Sequence, residues 1–325
     1  MKRLRAFDCL LLAAGLLLSG CSHTTSEPIE KTGIYFDTVI NIKIYDSKDM
    51  ELLDQCFAYC DDFEQTVSRT IETSEIYALN HADGNPIEVS DVTLDLLQKG
   101  IEYGELTDGK FDITIAPLSE LWDFKNNTGV IPDESAIAEA LSHVNYKNIL
   151  IKGNTVTLTD PEMAIDLGGI AKGYMADRLK EYLQSEGIES ALINLGGNML
   201  AIGKKPDGSD FNIGIQKPFD MQGTAITSVK TNDTSVVSSG VYERYFELDD
   251  IIYHHILNTE TGYPYDNGLF SVSIMSPKSV DGDALSTSCF ALGLEEGMQL
   301  IESMDGIEAI FITEDYEIYD TRSSS

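Results

Sequence analysis

The sequence predicts an α+β fold of mixed, largely antiparallel sheets with flanking helices, and three observations carry that prediction. Residues 33–46 alternate apolar and polar side chains with many β-branched members. Residues 48–68 and 91–106 repeat their apolar positions at helical spacing. Beyond residue 145 the apparent strands are short and close on turns such as Gly153-Asn154 and Gly196-Gly197.

Taken in order, 33–46 reads as a strand and the two periodic stretches read as helices. Residues 109–118 then lead to the only tryptophan, Trp122. That stretch reads as an apolar segment with Asp112 buried or capping, or as the wall of an aromatic-ring pocket. After Pro132 the spacing predicts a helix to about residue 144, with Asp133 placed as its cap. Residues 147–159 read as a hairpin turning at Gly153-Asn154. A strand is expected to run into Asp166, followed by a helix over 170–185 and another strand ending at Gly196-Gly197. From there to Tyr265 short strands dominate. A strand at 270–276, helices near 283–304 and a terminal hairpin at 307–320 complete the chain. No Pro-rich or Ser/Gly-rich linker interrupts 33–325, so this span reads as one domain.

The first residues carry a separate message. Lys2, Arg3 and Arg5 precede a short apolar run that ends at Leu18-Ser19-Gly20-Cys21. A basic start, an apolar stretch and small residues at a cut are the marks of an export signal. The run is short for a bilayer span, and polar residues follow it directly. Leu-Ser-Gly-Cys resembles the bacterial lipobox, in which the cysteine is acylated and becomes the new N-terminus. Residues 1–20 are therefore read as a signal peptide and 21–32 as a lipidated tether. The expected location is the extracytoplasmic face of the cell membrane, with Cys21 as the anchor.

Removing 1–20 takes a net +2 away from the formal charge of −32, leaving −34. Such a surface repels nucleic acid and anionic lipid heads, so membrane attachment falls to acyl chains and nucleic acid is not an expected partner. Any anionic substrate needs a local lysine or metal to overcome the field of the whole protein. Of the five cysteines, Cys56, Cys60 and Cys289 remain beyond the signal and the anchor. Their odd number and spacing outline no disulfide framework, and they read as small apolar core residues.

Three segments hold the chemistry-bearing residues. Asp166-Leu167-Gly168-Gly169-Ile170-Ala171-Lys172-Gly173 puts a carboxylate and two glycines between a strand and a helix, a setting able to present backbone N–H groups to a phosphate. It is neither a P-loop nor the dinucleotide fingerprint. Lys172 opposes the helix dipole unless an anion lies nearby. In Asp281-Gly282-Asp283-Ala284-Leu285-Ser286-Thr287, Asp283 and Thr287 share one helix face. They suit a hard cation such as Mg2+, while an Asp near a helix start is also a common cap. In the third segment His254 and His255 are adjacent in a strand, so they point to opposite faces and at most one faces a site.

The run FDITIAPLSELW, DLGGIAKGYMAD, INLGGN with IQKP, SSGVYERYFE, HHILNTETGYP and DALSTSCFALG resembles the ApbE family, the FAD:protein FMN transferases. The likeness extends from about Gly33 to Tyr319. It implies a single ApbE-like domain in which FAD is split at its pyrophosphate in a Mg2+-dependent reaction. FMN is joined through a phosphoester to a Ser or Thr hydroxyl of an exported acceptor protein, and AMP leaves. By the same resemblance Phe36, Thr70, Lys110, Phe111, Asp112, Asp166, Lys172 and Leu257 match FAD-contacting positions. Asp283 and Thr287 match Mg2+ ligands, joined by the Gly169 carbonyl. Where Thr70 stands, members of the family often carry an aromatic residue.

Phosphoryl transfer demands charge neutralisation on non-bridging oxygens and alignment of nucleophile and leaving group. Lys172 and a Mg2+ on Asp283, Thr287 and Gly169 divide the first task. Asp112 and Asp166 are read as acceptors for N–H and O–H groups of the flavin nucleotide. His255 is the candidate base, because histidine titrates near neutral pH, with Asp283 itself as the alternative. Two competing readings use the same pocket: a Mg2+-dependent FAD pyrophosphatase and a non-catalytic FAD-binding lipoprotein. The acceptor expected for a transferase is an exported respiratory or electron-transfer subunit.

Overall fold

The computed structural model describes residues 27–127 and 129–324. Residues 1–26, with the signal peptide and Cys21, lie outside the described residues. The chain opens with β1 (Ile29–Tyr35), β2 (Thr38–Ile44), α1 (Met50–Val67), α2 (Glu75–Asn80), β3 (Ile87–Glu88) and α3 (Asp91–Leu106). It continues through α4 (Ala116–Trp122), α5 (Glu134–Ser142), β4 (Ile149–Lys152), β5 (Thr155–Leu158) and α6 (Ala171–Ser185). Six strands follow: β6 (Ser190–Leu195), β7 (Asn198–Gly203), β8 (Phe211–Gln216), β9 (Ala225–Thr231), β10 (Ser235–Gly240) and β11 (Tyr245–Leu248). The last elements are β12 (Ile251–His254), β13 (Leu269–Ser276), α7 (Ser279–Leu292), α8 (Leu294–Glu302), β14 (Glu308–Thr313) and β15 (Ile318–Asp320).

One eight-stranded sheet in the order β1-β2-β6-β7-β10-β13-β14-β15 forms the frame, and every neighbouring pair in it is antiparallel. The α+β expectation with antiparallel pairing holds. One sheet face carries Ile40, Ile42, Ile193, Val272 and Ile274 into a core shared with α1, α6 and α7. The other face packs Ala201, Val236 and Ile310 against the β8–β9 hairpin through Phe211, Ile213 and Val229. A third cluster gathers around Trp122, which is fully buried and donates from Nε1 to the Gly262 carbonyl at 2.8 Å. Cys56, Cys60 and Cys289 are free and buried, and burial pushes each thiol up to about 12, as core residues require.

Three expectations are corrected. The span 33–46 is a hairpin rather than one strand: Phe36 (φ 54°) and Asp37 (φ 56°) both take left-handed backbone, as a two-residue hairpin turn demands. The alternation of apolar side chains runs through the turn and conceals it. No strand precedes Asp166, only a single parallel bridge between Ile115 and Ala164. The Asn80 side chain takes both backbone groups of Ile165, accepting its N–H at 2.7 Å and donating to its carbonyl at 3.0 Å, so no ladder can form there. Finally, the helix expected near 283 begins at Ser279, which places Asp283 inside α7 rather than at its cap.

Candidate functional site

The site begins with two helices that cap each other. The residue before α6, Ile170, offers its helix no side-chain acceptor. The open N–H of Gly173 is taken instead by Asp283 Oδ2 on α7, at 2.8 Å. In return Asp177 on α6 accepts the first N–H groups of α7, Ser279 at 2.8 Å and Val280 at 2.9 Å. Each carboxylate thus satisfies orphan donors of the neighbouring helix. The exchange needs close approach: a Cβ on Gly173 would stand 2.3 Å from the Ser279 carbonyl oxygen and 2.7 Å from Asp283 Cβ. Asp281 braces the assembly by accepting from Tyr103 Oη at 2.8 Å and pairing with Lys99 at 3.5 Å.

This packing sets Asp283 against Lys172 and leaves Thr287 beside Gly169. Asp283 is almost fully buried, and while Oδ2 is held by Gly173, Oδ1 faces the Lys172 ammonium at 3.9 Å. In a regular helix the Gly173 N–H would seek the Gly169 carbonyl four residues back. Its diversion to Asp283 leaves that carbonyl without a backbone donor among the described residues. Thr287 lies one turn along α7 from Asp283, and its Oγ1 is 3.9 Å from where a Gly169 Cβ would stand. Phe111 Cε2 is 3.0 Å from that same point, so Gly169 must lack a side chain for Phe111 to pack. A carboxylate, a hydroxyl and a free carbonyl are all hard oxygen donors, the set that suits Mg2+. Among the described residues there is no cluster of three or more His, Cys, Asp or Glu able to hold a metal.

The remaining nominated residues divide by what already engages them. Lys172 donates to the Gly168 carbonyl at 3.0 Å and stays partly exposed beside Asp283. Asp166 is not a free acceptor: Oδ1 takes the Gly168 N–H at 2.8 Å, and Oδ2 pairs with Arg69 Nε at 3.2 Å. Arg69 also reaches Glu120 at 2.6 Å. Asp112 is spent on the fold. Its Oδ1 accepts from Thr114 N and Oγ1 at 2.8 and 2.6 Å, and its Oδ2 accepts from Tyr146 N at 2.8 Å. Burial raises its carboxyl above the usual range, with those hydrogen bonds opposing. Lys110 reaches toward Glu260 at 3.8 Å, and Thr259 donates to the Gly109 carbonyl at 2.8 Å, which ties the 109–111 segment to the turn after the histidines.

The two histidines separate because β12 ends at His254, leaving His255 at the bend beyond it rather than in the strand. His254 is buried, with Nε2 2.9 Å from the Tyr265 carbonyl and Nδ1 accepting from Ile256 N at 3.3 Å. Burial pushes it down to about 4. His255 has a buried Nδ1 with no partner. Desolvation first, then His254, Arg244 and Lys172, push it down to about 3. The neutral-pH titration expected of His255 is therefore corrected: it is a neutral imidazole throughout the physiological range. Glu243 belongs to the same neighbourhood, since Lys172 and Arg244 act to lower its pKa and Asp283 to raise it. Crowding by protein dominates and lifts its carboxyl, although solvent reaches the residue along a cleft of about 360 Å³ lined by Asp37, Phe124, Lys125, Glu243, Arg244 and Tyr245.

Phe36 sits at the hairpin turn, its N–H held by Glu64 Oε1 at 2.7 Å and its ring edge-on to Phe63. Thr70 is exposed and bonded only to Ser68 among the described residues. Leu257 is buried in the Trp122 cluster and bridged to Pro264. No hydrogen bond, ion pair or ring contact joins these three to Asp283 among the described residues. A larger groove of about 490 Å³ between α1 and α6 touches none of the nominated side chains. Sequence reasoning missed Gly173, Asp177, Arg69 and Glu243. Gly173 and Asp177 stand in the same run as Lys172, but their significance lies in a helix more than a hundred residues away.

Fold and site together define a class: an α+β protein whose polar groups gather where the first turns of two helices meet beneath one antiparallel sheet. Within that class the chain belongs to the ApbE family, which matches residues 36–311. It is 37% identical over 290 residues to the FAD:protein FMN transferase of Klebsiella pneumoniae, covering 88% of this chain and 90% of that one. Its identity to the FAD:protein FMN transferase of Treponema pallidum is 30% over 336 residues, covering 97% and 92%. In structure it is similar to the ApbE protein of Thermotoga maritima, with a TM-score of 0.84 at 30% identity over 92% of this chain and 98% of that one. The flavin transferase ApbE of Vibrio cholerae gives 0.81 at 28% identity, over 91% and 98%.

Proposed function

We propose that this chain transfers FMN from FAD to a Ser or Thr hydroxyl of an exported acceptor protein and releases AMP. The observation that carries the reading is the buried Asp283 carboxylate facing Lys172 at 3.9 Å, one helical turn from Thr287, whose Oγ1 lies beside Gly169. The family supports the substrate pair, because the relatives above are FAD:protein FMN transferases.

Asp283 Oδ1, Thr287 Oγ1 and the Gly169 carbonyl would hold Mg2+, which supplies charge neutralisation for the non-bridging phosphate oxygens. Lys172 adds a fixed cation beside them, against the strongly negative field of the whole protein. In the transfer, the acceptor hydroxyl oxygen forms a bond to the FMN phosphorus as the bridging P–O bond to AMP breaks. The hydroxyl proton passes to a base, for which His255, neutral and with an unpartnered Nδ1, and Asp283 are the candidates. Arg69, through Asp166, fixes the turn at Gly168 from which Lys172 and Gly169 are presented.

The anchoring belongs to the same reading. Leu18-Ser19-Gly20-Cys21 supports lipid attachment outside the cytoplasmic membrane, so that flavinylation follows export of the acceptor. Among the described residues no helix is long and apolar enough to cross a membrane. Incubating the purified protein with FAD, Mg2+ and a candidate acceptor domain tests the central claim. Flavin fluorescence that stays with the denatured acceptor is the expected result. Free FMN with an unmodified acceptor would replace the transferase with a pyrophosphatase.

A further inference from the structure

A short file of hydroxyl groups runs behind Thr287, and its polarity is fixed by its far end. Ser286 Oγ lies 2.9 Å from the Asp283 carbonyl, which can only accept, so the Ser286 proton points there. Ser239 Oγ on β10 lies 2.7 Å from Ser286 Oγ and 3.1 Å from Thr287 Oγ1. With the Ser286 proton committed, Ser239 must donate to Ser286. With the Ser239 proton committed in turn, Thr287 must donate to Ser239. The order Thr287 to Ser239 to Ser286 to the Asp283 carbonyl is therefore forced by counting one proton per hydroxyl.

We infer that Ser239 is a positioning residue: it takes the Thr287 proton and so turns the lone pairs of Thr287 Oγ1 away from the sheet, toward Gly169 and the Asp283 carboxylate. A threonine hydroxyl is ambivalent, able to point either a proton or a lone pair at a neighbour. A cation tolerates only the lone pair. The strand β10 and the helix α7 each supply part of the file, so the packing of sheet on helix sets the chemical sense of the ligand. This inference rests on the metal reading given above, and it assigns Ser239 no contact with substrate. Outer partners of this kind orient metal ligands, and their loss typically weakens metal binding about 10- to 100-fold.

The test uses Mn2+ as the probe, its binding to the purified protein followed by loss of the free-ion electron paramagnetic resonance signal. Ser239→Ala is expected to weaken Mn2+ binding about 10-fold or more, with the melting temperature and metal-free riboflavin binding unchanged. Ser239→Thr keeps the hydroxyl and is expected to restore affinity. Ser286→Ala, which frees the Ser239 proton to point at Thr287, is expected to weaken Mn2+ binding by a smaller factor. If Asp283→Ala loses Mn2+ but Ser239→Ala binds it as tightly as the unsubstituted protein, the role of Ser239 is overturned while the metal site stands. If Asp283→Ala itself binds Mn2+ unchanged, the metal reading fails and the inference falls with it.

Discussion

Asp283 Oδ2 accepts the backbone N–H of Gly173 at 2.8 Å, across 110 positions of sequence. The carboxylate therefore does two things at once. One oxygen completes the first turn of α6, and the other faces Lys172 at 3.9 Å. The reciprocal caps from Asp177 hold α7 in the same embrace.

Because of that double role, the two obvious substitutions at Asp283 separate fold from chemistry. Asp283→Asn keeps an acceptor for Gly173 but loses the charge, and is expected to melt within a few degrees of the parent while Mg2+-dependent FMN release falls at least about 100-fold. Asp283→Ala also leaves a buried N–H unsatisfied, at a cost of about 1–3 kcal/mol. Thermal melts and turnover measured on both variants check this. Equal stability of Asn and Ala would refute the capping role.

Gly173→Ala should damage the site without touching any ligand. Its Cβ would meet the Ser279 carbonyl at 2.3 Å, and backbone cannot swing aside as a side chain can. Overpacking of this kind costs about 1–3 kcal/mol, and moving α6 from α7 also displaces Lys172 from Asp283. A lowered melting temperature together with weaker Mn2+ binding is the expected pair of results.

Lys172→Ala is expected to weaken FAD binding more than riboflavin binding, since the ammonium stands beside Asp283, where the proposed reading places the phosphates. Isothermal titration with both ligands decides the point. Equal losses would place Lys172 away from the phosphates.

His254 gives the stability a pH dependence whose sign can be worked out. Burial holds it at about 4, against 6.5 for a free histidine. Between those values the unfolded chain carries the proton and the folded one does not, so the folded state loses stability as pH falls from 6.5 toward 4. The stability difference between the parent and His254→Asn should shrink by on the order of 2 kcal/mol from pH 7.5 to pH 5. Denaturant melts at the two values measure it, and a constant difference would show that His254 titrates normally.

Imidazole NMR offers a companion check on His255, held at about 3. No titration of its ring is expected between pH 5 and pH 8 in the ligand-free protein. FAD should raise its pKa, because two phosphate charges enter a neighbourhood now set by Lys172 and Arg244.

Much of the fold was legible because periodicity is local. The helix over Asp91–Leu106, the cap at Asp133 and the turn at Gly153-Asn154 each follow from side chains within a few positions of one another. The turn at Phe36-Asp37 was hidden because two non-glycine residues adopt positive φ there, supported by Glu64 from the next helix. The fate of Ile165 was hidden for the same reason, its partner being a side chain 85 residues away.

The sequence alone named Asp283, Thr287, Gly169 and Lys172 as candidates, Asp283 and Thr287 by their shared helix face and the set as a whole by its resemblance to the ApbE family. It also determined the α+β class, and its first residues are the ground for the proposed export signal ending at Cys21. Only the tertiary structure decided what each carboxylate engages. Asp112 accepts from Thr114 and Tyr146, Asp166 pairs with Arg69, and Asp283 caps Gly173 with one oxygen and faces Lys172 with the other. It decided as well that burial holds His255 neutral and that Ser239 stands against Thr287. The physical reason is common to all of these. A spacing names which groups share a helix face, but hydrogen-bond partners and desolvation come from elements distant in sequence, and those fix what each group has left to offer.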